Sequence, residues 1–283
     1  NYKQVSSVSY SRRRNHMARK KFEELDLCDP FLFAAALEDE AICRLILETI
    51  LGRPITKVRV HAEHTILYSS DFRSVRLDIY ASDEVQVEYN IEMQNEDEHN
   101  LAKRSRYYQG EMDITSLKPG EDFNDLRPCF IIFICTFDPF GKGLYRYTFE
   151  NKCLETELSL GDQVQKIFLN TKGKNQESVS EELIHLLKYI ENSTDTCAAE
   201  SENETIQEIH SKIKEMKKNR NLGVRYMQME ELLKKRELKG REIAKNRLKE
   251  LAFKLSGEGR EKELIEAASN PNLLEKLYQE YGI

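Results

Sequence analysis

The sequence predicts an α/β fold: a mixed β-sheet core flanked by helices, followed by an α-helical C-terminal extension. Three observations carry this. Two neighbouring runs, Val75 to Tyr80 and Val87 to Gln94, alternate apolar and polar residues with period two. Arg127 to Phe137 is the most apolar run of the chain, rich in Phe and Ile, and reads as a central strand buried on both faces. From Thr205 onward, apolar residues recur at helical spacing to the end.

The chain has 283 residues, 40% of them hydrophobic and 33% charged, enough for one sizeable domain and an appendage. No apolar run is long enough to span a bilayer, and no apolar segment follows the basic start. A membrane protein is therefore not expected. The six cysteines include no C-x-x-C pair, which points to a reduced, cytoplasmic protein without a zinc site. His61 and His64 fall on opposite faces of an alternating segment, so they are not expected to share a metal.

Charge is unevenly spread. Net charge is −6 overall, but +7 over residues 1–21, −16 over 22–200 and +3 over 201–283. An acidic centre repels nucleic acid unless cations intervene, so phosphate contacts are expected from the ends or from local basic patches. The expected organisation is a basic arm (1–22), a core domain (23–192), a Ser/Thr/Asn-rich linker (193–204) and a helical extension (205–283).

In chain order, Asp29-Pro30 opens a helix, because Asp caps and Pro suits the first helical position. Its apolar face is Phe31, Leu32, Ala35 and Ala36. A second helix runs from Glu40 to Leu51 and stops at Gly52. Ile55 to Tyr68 reads as a strand of mixed patterning, then come the two alternating runs, joined through Ser82-Asp83-Glu84. A helix follows from about His99 to Leu117, with Leu101, Tyr108, Met112 and Thr115 facing inward. After the apolar strand, Leu144 to Glu150 and Val164 to Leu169 read as an edge meander. Leu183, Ile184, Leu187 and Ile190 mark an amphipathic helix. Residues 210–249 carry 14 Lys/Arg against five acids, a helix suited to pairing, docking or phosphate contact. Gly257-Glu258-Gly259 and Asn270-Pro271 divide the terminal helices.

The chemistry lies on the paired strands. Their polar faces carry Asp78, Glu92 and Gln94. Glu92 and Gln94 are two residues apart and point the same way. Asp78 joins them if it stands opposite Glu92, which requires a five-residue connection from Asp83 to Val87 or an equivalent bulge. An acid on one strand and acid-x-polar on the next is a way to hold Mg²⁺, an oxygen-seeking ion that activates water. The bland alternative is the solvent face of a hairpin.

The stretch from Leu25 to Leu169 resembles the PD-(D/E)XK nuclease-like transposase family. The matching residues are Val75-Arg76-Leu77-Asp78, Asn90-Ile91-Glu92-Met93-Gln94, Lys103 to Gln109, and Phe130 to Cys135 before Phe137-Asp138-Pro139-Phe140. The resemblance implies a restriction-endonuclease-like core and metal-dependent hydrolysis of double-stranded DNA in transposition or recombination. It implies Asp78, Glu92 and Gln94 as catalytic residues, and Mg²⁺ or Mn²⁺ on Asp78, Glu92 and the Met93 carbonyl. Glu48 and Glu63 are candidates for a further acid, Arg104 for a phosphate contact and Gln109 for a bond within the site. Gln94 stands where the superfamily pattern has Lys; Gln orients a water but supplies no charge. Two other readings stay open: a nuclease-fold module that binds DNA or protein without cutting, and a nuclease directed at invading DNA. A homodimer through the C-terminal helices would bring two sites together.

Overall fold

The computed structural model describes residues 20–61 and 79–283. Most of the basic arm, Glu63, His64 and Asp78 lie outside the described residues. The chain divides into two compact units, one spanning Lys20–Gly223 and one containing Val224–Ile283.

The first unit is built on a six-stranded mixed sheet. Its strands are β1 (Val58–Val60), β2 (Ile79–Asp83), β3 (Glu88–Gln94), β4 (Cys129–Cys135), β5 (Arg146–Phe149) and β6 (Val164–Asn170). They lie in the order β1-β2-β3-β4-β6-β5. β1, β2 and β3 are successively antiparallel, β3, β4 and β6 run parallel, and β5 returns antiparallel on the edge. The apolar run is central as its composition demands: Ile131 to Cys135 are wholly buried. One reading is corrected. Of the strand expected over Ile55 to Tyr68, the described part forms a strand only at Val58–Val60. β5 and β6 pair antiparallel on the edge beside β4 as expected, with β6 inside and parallel to β4, because Ile167, Phe168 and Leu169 are buried and need cover on both faces.

Helix α1 (Pro30–Leu37) starts where the Asp29 carboxylate accepts the Phe31 and Leu32 amides. It is buried all round rather than on one face. In α2 (Glu40–Leu51), Asp39 caps the start and Gly52 ends it in the left-handed region at φ 65°. Helix α3 (Leu101–Ser116) lays Leu101, Ser105, Tyr108 and Met112 inward. Thr115, expected among them, is exposed because the helix is ending there and its hydroxyl bonds back to the Glu111 carbonyl. Leu101, Tyr108 and Met112 form one core with Ile131, Phe133 and Phe168 of the sheet. Helices α4 (Glu181–Glu191), α5 (Asp195–Glu200) and α6 (Glu204–Lys217) follow. The stretch expected as a linker, 193–204, thus holds α5, capped by Thr194, and α6 buries Ile206, Ile209 and Ile213.

In the second unit, Leu251 and Leu255 of the 38-residue helix α7 (Arg220–Gly257) pack with Ala267 of α8 (Glu261–Ala267). Leu277 and Tyr278 of α9 (Pro271–Tyr281) complete that core. The Arg247 guanidinium lies 4.1 Å from the Tyr278 ring. Residues 234–246 of α7 are exposed throughout. Among the described residues, no helix is long and apolar enough to cross a membrane.

Candidate active site

β3 buries three polar side chains in a row along one face. Alternation puts Glu88, Asn90, Glu92 and Gln94 on one face and Tyr89, Ile91 and Met93 on the other. Glu88, Asn90 and Glu92 are only 1%, 6% and 3% exposed. That face lies against the core that α3 closes over the sheet.

The turn before β3 sets its register. Asp83 accepts the Val85 and Val87 amides on one carboxylate oxygen and the Tyr89 hydroxyl on the other. Ser82 faces Glu88, Tyr80 faces Asn90 and Ile79 faces Ile91, so the five-residue connection from Asp83 to Val87 is present. Asp78 itself lies outside the described residues.

Glu92, Gln94 and Arg104 form one hydrogen-bonded cluster. The Arg104 fork donates through Nη2 to Glu92 Oε2 and through Nη1 to Gln94 Oε1 at 2.9 Å. Gln94 Nε2 donates to the same Glu92 oxygen at 3.1 Å. Tyr108, one helical turn beyond Arg104, accepts from Arg104 Nε and Nη2. The guanidinium carbon lies 5.6 Å from the rings of both Tyr108 and Phe133. Burial works against the arginine's charge, yet Glu92 and Tyr108 outweigh it and hold its pKa above the ordinary value.

The other candidates go elsewhere. Glu48 accepts the Ile55 amide and pairs with Arg44, tying α2 to the loop that follows it. Gln109 bonds Asp113 one turn along α3. Met93 is buried between Glu92 and Gln94. Glu63 lies outside the described residues. Tyr108 as the second holder of Arg104, and the buried pair Glu88 and Asn90, were missed as site residues, although the alternation that singles out Glu92 also selects both of the latter.

Glu88 bonds Tyr80 and lies 3.3 Å from Arg127 Nη1. Burial raises its pKa, and Tyr80 and Arg127 only partly offset this. The folded protein therefore binds this proton more tightly than the unfolded chain does. The resulting stability is present below the ordinary glutamate range and lost as pH rises through the folded value. Glu88→Gln is expected to melt a few degrees above wild type at pH 8, with the gap closing toward pH 4. A gap that stays constant with pH would rule out this titration.

A divalent cation needs hard oxygen donors. Among the described residues, no three His, Cys, Asp or Glu side chains converge. Glu92 offers one such donor: Oε2 takes the bonds from Arg104 and Gln94, and Oε1 takes none among the described residues. A carboxylate oriented through one oxygen and open at the other fits the ion's chemistry.

No curated protein and no solved structure matches the chain. A family model does: that of the PD-(D/E)XK nuclease family transposases, over residues 29–244. The match takes in the whole sheet and the Glu92–Gln94–Arg104 cluster, and the chain belongs to this family.

Proposed function

We propose that this protein is a divalent-metal-dependent endonuclease that hydrolyses double-stranded DNA in transposition or recombination. Asp78, Glu92 and the Met93 carbonyl would hold Mg²⁺ or Mn²⁺, which supplies Lewis acidity and an activated water when bound. The observation that carries the reading is the Arg104 fork on Glu92 and Gln94. Gln94 lacks the positive charge that Lys brings at its position. Arg104 delivers one from α3 to the same place, and Gln94 is held by it to orient a water rather than to charge it.

The same contact favours a second reading. The guanidinium already neutralises Glu92, so the cluster is a self-sufficient buried ion pair, as a binding module that has kept the fold without the chemistry would have. The exposed, basic middle of α7 serves either reading as a phosphate contact or a pairing surface between two copies.

Plasmid nicking in Mg²⁺ and Mn²⁺ separates the readings. Wild type is expected to nick, Asp78→Ala to lose at least about a hundredfold in rate, and Glu92→Gln a similar amount. Nicking unchanged in Asp78→Ala removes the site assignment; none by wild type leaves the binding module. Sedimentation of the same preparation reads the oligomer, and a monomer excludes pairing through α7.

A further inference from the structure

On the polar face of β3, the side-chain oxygen of Asn90 is the buried one that neither the Glu92 cluster nor the Glu88 contacts account for. Its side chain is more than nine-tenths buried, and its Oδ1 has no hydrogen-bond partner among the described residues. Buried amide oxygens are nearly always satisfied, so an orphan calls for a reason. Its cross-strand neighbours provide no donor. Ile131 on β4 is apolar, and Tyr80 on β2 bonds Glu88 through its hydroxyl. Along its own strand, the next side chains on that face are Glu88 and Glu92, both carboxylates. The three residues make a row of oxygens with the unpartnered one in the middle. Two positions apart on one strand face is a spacing at which side chains can share one ion, and an amide carbonyl is an ordinary ligand for a hard divalent cation.

We propose that the side-chain carbonyl of Asn90 is a further oxygen ligand of the divalent cation bound at Glu92. This rests on the metal-dependent reading above. A neutral oxygen suits the place: Asp at position 90 would set a third carboxylate between Glu88 and Glu92, with no cationic partner while the ion is absent. Asn completes coordination without adding charge. The cost is borne by the metal-free protein, which keeps an unsatisfied oxygen in its core.

That cost gives the test a readout separate from activity. Mn²⁺ binding is measured by calorimetry on the full chain, and melting is followed with and without Mn²⁺. Asn90→Leu removes the oxygen at similar volume; Asn90→Asp keeps it. The expected result is that Asn90→Leu binds Mn²⁺ weaker by about tenfold or more, loses most of the Mn²⁺-dependent rise in melting temperature, and melts no lower than wild type without metal. Asn90→Asp should retain binding. If wild type and Asn90→Leu bind Mn²⁺ equally, Asn90 is not a ligand and the metal site stands without it. If wild type binds no Mn²⁺ and Glu92→Gln changes nothing, the metal-dependent reading falls and this role with it. A metal-free Asn90→Leu that melts well below wild type shows the oxygen to be satisfied, and also overturns the proposal.

Discussion

Replacing Arg104 with methionine is expected to destabilise the protein by about 3–5 kcal/mol, the range for leaving a buried charge without its partner. The Glu92 side chain is 4% exposed and that of Arg104 25%. Without the guanidinium, Glu92 keeps one amide donor, from Gln94; Gln94 Oε1 and the Tyr108 hydroxyl each lose a donor too. An exposed pair such as Lys218–Glu215 is worth under about 1 kcal/mol. Chemical denaturation of Arg104→Met, Glu92→Gln and the double variant checks this. The double variant should be less damaged than Arg104→Met alone, because no charge is then stranded. Arg104→Lys should not restore stability, since a single ammonium cannot reach three acceptors as the planar fork does. A loss below about 1 kcal/mol in Arg104→Met would show the pair to be screened by solvent.

Gly173→Ala is expected to cost about 3 kcal/mol, the upper end for forcing extra volume into a packed site. A Cβ there would lie 2.3 Å from Tyr145 Cγ and 2.6 Å from Tyr145 Cα. Tyr145 cannot retreat. It is 4% exposed, its amide donates to Asn175 Oδ1, and its carbonyl accepts the Asn170 amide. The neighbouring Lys174 amide is bonded to the Gly143 carbonyl. The melting temperature should fall by roughly 6–12 °C. Gly110 in α3 is the control: nothing lies within 4 Å of its Cβ position, so Ala there should be neutral or stabilising by up to about 1 kcal/mol. Equal melting of both variants would mean that the 170–175 turn yields.

Much of this was legible in the residues. The Asp29 and Gly52 signals, the central apolar strand and the five-residue connection before Glu88 follow from local chemistry acting within a few positions. The partner of Arg104 did not. The sequence places Arg104 on a helix and Glu92 on a strand, but their contact depends on how α3 crosses the sheet, which no spacing encodes. The fork, which the resemblance offers as a phosphate contact, grips two side chains of β3. The order of β5 and β6 was not legible for a related reason: an apolar run announces burial but not which strand lies beside it. Glu88 and Asn90 are readable from the same alternation that selects Glu92, but their burial is not, because alternation fixes a face and not what covers it.

β3 is where two kinds of pairing meet, antiparallel to β2 and parallel to β4. The first closes through a five-residue turn and needs little loop-closure entropy; the second encloses α3 and must wait for a long loop to be ordered. Hairpin formation is an early event on this arithmetic, and β3–β4 docking a late one. The Glu92–Arg104 contact spans only 12 residues, so on the same arithmetic it closes before β3–β4 docking. A chain caught partway holds Glu92 on an open strand edge, without the neighbour that covers it. Protection of the β3 amides from exchange would thus report the arrival of β4, after the residues of the centre, drawn from segments close in the chain, have met.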